Sequence, residues 1–125
     1  MSLKVLDGEL AICRLEAGQP LPAWFSLHGP FSAAVRRDGE LSLVCDAAAV
    51  PTGVRADRGW RALELEGSQD LTLTGVLAGL ARPLADAGVP LFALATYDTD
   101  VLLVPVARLA DAVAALRAHG HTVLD

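Results

Sequence analysis

A chain of 125 residues, 53% hydrophobic and 20% charged, has the make-up of one compact domain or of two small units sharing a core. Its formal net charge of −5 opposes binding to a nucleic-acid backbone or an anionic membrane, and no apolar run approaches the ~20 residues that span a bilayer. Two cysteines are too few for a secreted disulfide framework, so Cys13 and Cys45 read as buried free thiols and the cytoplasm is the expected compartment.

The side-chain inventory narrows the chemistry further. The chain has no Asn and a single lysine, Lys4, near an N-terminus expected to fray; this removes Asn-based oxyanion holes and a buried lysine nucleophile. Arg36 and Arg37 form the densest basic spot, but neighbours on a strand point to opposite faces and make no patch.

In chain order, residues 10–15 read as a first strand, followed by a turn region at Gly18, Pro20 and Pro22 and a short turn at Ala23-Trp24-Phe25, with Trp24 expected to plug the core. Phe31 to Arg37 and Glu40 to Cys45 flank Asp38-Gly39, a pair that accepts the positive φ angles of a tight hairpin turn. Asp46 to Val50 suits one helical turn before Pro51. The polar segment Thr52 to Gly59 reads as a connector and as the internal boundary.

From Trp60 to Glu66 the alternation of apolar and polar residues predicts a half-buried strand. Thr74 is placed to cap a helix over 75–87 that carries Val76, Leu77, Leu80 and Leu84 on one stripe; Gly88 ends it, and Pro83 is expected to kink or divide it. Val89 to Ala95 and Val101 to Val106 are apolar runs around the polar tip Thr96-Tyr97-Asp98-Thr99-Asp100, which is a second hairpin. A helix over 107–119 buries Leu109, Val113 and Leu116 and turns Arg108, Asp111 and Arg117 to water; it stops at Gly120, before a last strand from His121 to Leu124.

The order strand, helix, strand, strand, helix, strand predicts an α+β fold, a ferredoxin-like βαββαβ sheet with both helices on one face. The two hairpins also resemble each other: Asp38-Gly-Glu-Leu-Ser-Leu-Val44 matches Asp98-Thr-Asp-Val-Leu-Leu-Val104 at a spacing of 60 residues. Read as a duplication, this gives two copies of one fold, the first with reduced helices.

These residues resemble the ACT domain, a small regulatory module, and in particular paired-ACT proteins related to aspartokinase regulatory regions and to cytosolic arginine sensors. The likeness rests on Trp60-Arg-Ala-Leu-Glu-Leu-Glu-Gly67, on Thr74-Gly-Val-Leu-Ala78 with Pro83-Leu-Ala85, on Gly88-Val-Pro-Leu-Phe92, and on Ala95-Thr-Tyr-Asp-Thr-Asp100 followed by Leu102-Leu-Val104. It covers residues 60–125 well and the N-terminal half more loosely, through Glu40 to Cys45 and Val50-Pro51. It implies two ACT-like units, an abbreviated one over 1–59 and a complete one over 60–125. Ala95 departs from the Ser often found there, which removes one hydroxyl contact.

The resemblance further implies a regulatory module without catalysis that binds an amino acid where the loop after the first strand meets a neighbouring unit. Carried onto this chain, the ligand-binding residues are Asp70, Thr74, Gly75, Val76, Thr96, Tyr97 and Asp100. Amides at Gly75 and Val76 open a helix and suit a carboxylate, Asp100 suits an ammonium or guanidinium, and Gly75 permits close approach. Exposed strand edges predict a homodimer, and the regulated partner is expected to be a separate protein.

Other chemistries find less support. Asp98 and Asp100 are two carboxylates of a hairpin turn and lack the ligand number and glycine of a calcium loop; His119 and His121 have no partners at zinc spacing, so no metal and no cofactor is expected. An acylphosphatase-like enzyme needs an Asn, and five Ser with three His show no triad signature. The competing reading is a structural or interaction module that dimerises and binds nothing small.

Overall fold

The computed structural model describes residues 1–67 and 73–125 and separates into two units, Asp7–Trp60 and Met1–Leu6 with Arg61–Asp125. In chain order the strands are β1 (Ser2–Val5), β2 (Leu10–Glu16), β3 (Ala33–Arg37), β4 (Glu40–Asp46), β5 (Ala56–Leu65), β6 (Phe92–Ala95), β7 (Asp100–Pro105) and β8 (Thr122–Leu124). The helices are α1 (Val76–Asp86) and α2 (Leu109–Ala118), and Ala47–Ala49 and Val106–Arg108 form single 3-10 turns.

In the Asp7–Trp60 unit the strands lie in the order β3, β4, β2 and the first half of β5, every neighbour antiparallel. The Asp38-Gly39 turn forms as expected, with Gly39 at φ 90° between the paired Arg37 and Glu40. Strand alternation puts Ala11 and Cys13 of β2 on one face with Leu41, Leu43 and Cys45 of β4, and these pack with Phe25, Ala47 and Val50 into a core. The other face carries the charges: Arg14 pairs with Glu16 at 3.1 Å, Arg37 with Glu40, and the Ser42 hydroxyl donates to Glu40 at 2.8 Å. The Ser42 hydroxyl and the Arg37 guanidinium hold the Glu40 carboxyl below its usual range. Phe25, not Trp24, is the buried aromatic; Trp24 is half-buried beside it.

The connector expected over 52–59 is also corrected. Those residues are not a connector throughout, because β5 begins at Ala56 and pairs with β2 through Cys13↔Ala56 and Ile12↔Asp57. The register then slips before Leu10↔Trp60, a bulge at Gly59, whose φ of 83° favours glycine. Pairing with a strand far away in the sequence overrides the local polarity.

The other unit orders its strands β6, β7, β5, β1, β8. Leu3, Val5, Leu63, Leu65, Leu102, Val104 and Val123 pack with Leu80 and Leu84 of α1 and Ala112, Val113 and Leu116 of α2, so one apolar face of the sheet is covered by both helices. The N-terminus therefore does not fray. Leu3 is fully buried, and β1 pairs antiparallel with β5 and parallel with β8, standing between two strands that a plain βαββαβ sheet would pair directly.

Helix α1 also differs from expectation. Its N-cap is Gly75 rather than Thr74, with no side-chain cap bond, and it runs through Pro83 undivided. Proline cannot donate to the carbonyl four residues earlier, which is that of Gly79. His121 takes that role: its Nε2 lies 3.1 Å from the Gly79 oxygen, so this histidine is not a free surface group. Arg108 likewise does not simply face water, since its guanidinium donates to the Ala87 and Gly88 carbonyls at 3.2 and 3.1 Å and so caps the end of α1. Gly88 ends the helix at φ 72°, and the strand expected from Val89 begins only at Phe92.

The 60-residue repeat has a structural counterpart. Glu40 and Asp100 each begin the second strand of a hairpin, and each of those strands runs into a 3-10 turn. The connections differ: Asp38-Gly39 makes a two-residue turn, whereas Ala95↔Asp100 pairing leaves a four-residue turn over 96–99.

Candidate functional site

The β6–β7 turn is held by its own threonines. Thr96 N–H donates to the Thr99 carbonyl at 2.7 Å, and Thr99 N–H donates to Thr96 Oγ1 at 3.0 Å. The Thr99 hydroxyl donates to the Leu65 carbonyl at 2.7 Å, which pins the turn against the end of β5. A turn so tied is a fixed wall, placed where the chain leaves β5 on its way to α1.

Beside it lies a cleft of ≈ 310 Å³, lined by Lys4, Glu64, Leu65, Glu66, Gly67, Asp98 and Thr99. Lys4 and Glu64 are directly opposed on β1 and β5. One ammonium and three carboxylates around one opening can meet both ends of a zwitterion, the cation taking a carboxylate and the anions an ammonium. At the other end of the β5–α1 connection, the first turn of α1 carries no acidic residue, so the partial positive charge of its free amides is not neutralised there.

The residues expected in the site fall into two groups. Thr96, Tyr97 and Asp100 share the hairpin: Thr96 closes the turn, Tyr97 is 82% exposed, and Asp100 opens β7 half-buried opposite Ala95. Thr74, Gly75 and Val76 share the start of α1; the first two are exposed and Val76 packs against the core. Asp70 lies outside the described residues. None of the other six lines the cleft, which is built by different side chains.

Glu64 and Glu66 are legible in the sequence as the polar face of the β5 alternation, and Asp98 as a turn carboxylate. Lys4 is not, because its position depends on a pairing with a strand some 60 residues later, as Lys4↔Glu64 shows. Gly75 has a simpler explanation than ligand approach: its φ of 77° is left-handed, and a Cβ there would meet nothing within 4 Å. Among the described residues no group of three or more His, Cys, Asp or Glu is placed to hold a metal ion, and no helix is long and apolar enough to cross a membrane.

Comparison with known proteins adds the family. A family model for the ACT domain matches residues 55–118, and a second model, of an N-terminal domain, matches residues 8–53. A crystal structure of an Agobacterium tumefaciens protein is similar over 98% of this chain and 91% of its own, at 36% identity and a TM-score of 0.92. A Vibrio cholerae protein described as of unknown function and a possible transport protein shares 23% identity over 94% of this chain and 88% of its own, with a TM-score of 0.76. The ligand-free regulatory subunit of aspartate kinase from Thermus thermophilus shares the fold at 12% identity, over 92% of this chain and 94% of its own, with a TM-score of 0.64. No curated protein matches. An ACT-domain match over residues 55–118, on an α+β sheet with two helices on one face, means that this chain belongs to the ACT domain family.

Proposed function

We propose that this chain is an amino-acid-binding regulatory module without catalytic activity, acting in the cytoplasm on a separate protein. The observation that carries the reading is the cleft of Lys4, Glu64, Glu66, Asp98 and Thr99, which offers both signs of charge beside a turn pinned to β5. A free amino acid presents a carboxylate and an ammonium a few ångströms apart, and such a mixed cleft answers both. The α1 amides at Gly75 and Val76, with Thr74, Thr96, Tyr97 and Asp100, flank the same β5–α1 connection and supply the remaining contacts in this reading.

We also infer a homodimer. The β6 edge, Phe92-Ala-Leu-Ala95, has no charge, proline or bulge to discourage pairing with another strand. The fold shared with the aspartate kinase regulatory subunit supports a regulatory role by analogy alone.

Amide NMR spectra recorded with pools of the twenty amino acids test the location. Saturable shifts at Gly67, Gly75, Val76 and Thr99 are expected with one pool; shifts confined to the Asp7–Trp60 unit would count against the site. The second reading, an interaction module with no small ligand, is favoured by the exposed Tyr97 ring, and it predicts a dimer together with no response to any pool.

A further inference from the structure

In the Asp7–Trp60 unit, β3 is an edge strand, and its two arginines meet opposite surroundings. Arg37 opposes Glu40 and joins the charged face with Arg14, Glu16 and Ser42. Arg36 opposes Leu41, so alternation puts it on the face of Leu41, Leu43 and Cys45, which is the apolar core face. There a groove of ≈ 290 Å³ is lined by Gln19, Pro20, Leu21, Ala34, Arg36 and Leu41.

Among the described residues, Arg36 is the only charged one lining that groove. Glu16 and Glu40, on the opposite face, are paired there: Glu16 with Arg14, and Glu40 with Arg37 and Ser42. The Arg36 guanidinium itself has no hydrogen bond or ion pair with any described residue. Leu21 stands 52% exposed beside it, an apolar wall left open to solvent, while Leu41 at 5% forms the floor.

We propose that this groove binds a small organic carboxylate with an apolar chain, the Arg36 guanidinium taking the carboxylate and Pro20, Leu21 and Leu41 the chain. A planar fork of donors matches a carboxylate's two oxygens, and the single positive charge selects an anion over a neutral molecule of the same shape. The size of the groove, at the low end for ligand pockets, restricts the ligand to a short chain. An arginine on the inward face of an edge strand also discourages strand addition, and the test must separate this role from ligand binding.

The probe is sodium hexanoate, followed by amide NMR of the full chain, with hexanol as the uncharged counterpart. Saturable shifts at Gln19, Ala34, Arg36 and Leu41 are expected, with hexanol at least about 10-fold weaker. Arg36→Gln should weaken hexanoate binding by about 10-fold or more, and Leu21→Asp should abolish it by supplying Arg36 with a carboxylate of its own. Both sites are exposed, so the fold should survive. Equal affinity for hexanoate and hexanol, or hexanoate binding unchanged in Arg36→Gln, overturns the proposal. So does an Arg36→Gln variant that self-associates while neither it nor the wild-type protein binds hexanoate, since Arg36 would then only guard the edge.

Discussion

Gly75 and Asp100 divide the expected site into a backbone requirement and a charge. A side chain at φ 77° costs about 1–2 kcal/mol in the left-handed region, and more when β-branched. Gly75→Val should therefore destabilise the free protein by at least ~1 kcal/mol in urea titrations, whatever it does to ligand affinity. Asp100 is the cleaner probe. It is half-buried at the start of β7, where alanine leaves the Ala95 pairing intact, so Asp100→Ala should leave the melting temperature nearly unchanged. If it meets the ligand's cationic group, affinity falls by roughly 10- to 100-fold, the loss of one charge-assisted hydrogen bond; unchanged affinity in calorimetry would remove Asp100 from the site.

The cysteines respond to pH in a direction that burial decides. Desolvation pushes the Cys45 thiol up to about 11 from an ordinary value of 9.0, and raises Cys13 as well. The folded state holds these protons where the unfolded chain has released them, so their contribution is complete below pH 9.0 and is lost as pH climbs toward about 11. Urea midpoints measured from about pH 8 to about pH 10.5 should fall across the upper part of that range, and a Cys45→Ala, Cys13→Ala double variant should show less of the fall. An equal slope in both proteins would assign it to other groups.

At the scale of elements, both hairpins are readable because their signals are local: Asp38-Gly39 between alternating runs, and a polar tip between two apolar ones. Helices α1 and α2 are readable from their stripes and closing glycines. Local reading misses each element whose reason lies elsewhere in the chain. Ala56 to Gly59 look like a linker until β2 pairs with them, and Ser2 to Val5 look like a loose end until β5 and β8 flank them. Pro83 reads as a break because the partner that answers the Gly79 carbonyl, His121, is 42 residues away from it. This last link predicts a coupling. His121→Ala should cost about 1 kcal/mol, the net worth of one hydrogen bond, and the cost should shrink in a Pro83→Ala background, where the restored backbone N–H can donate to Gly79 instead. Additive losses in a double-mutant cycle would show that His121 does not serve the helix.

Taken as a whole, the chain folds in units that do not follow its linear order. Leu3 and Val5 lie in the same core as Leu63, Leu84 and Leu116, so a fragment of residues 60–125 lacks a strand of its own sheet. Leu3→Ala alone should cost roughly 2–5 kcal/mol, a large share of the total for a domain of this size. The fragment should accordingly show poor amide dispersion, and a fusion that restores Met1 to Leu6 should recover it. The candidate site is legible at the same coarse level as the fold. The hairpin tip, the loop before α1 and the polar face of β5 with Glu64 and Glu66 can be identified from sequence, while Lys4, which lines the cleft with them, needs the pairing of β1 with β5 to come into view.

A thermal-shift screen of the twenty amino acids on the chain of 125 residues decides whether the folded protein binds a free amino acid. A ligand at about 100 times its Kd that binds only the folded state adds ~2.7 kcal/mol, which for a chain of this size raises the melting temperature by several degrees. The predicted result is such a rise with one or two amino acids, reduced in Asp98→Ala as well as in Asp100→Ala. Twenty flat responses at millimolar concentration would contradict it.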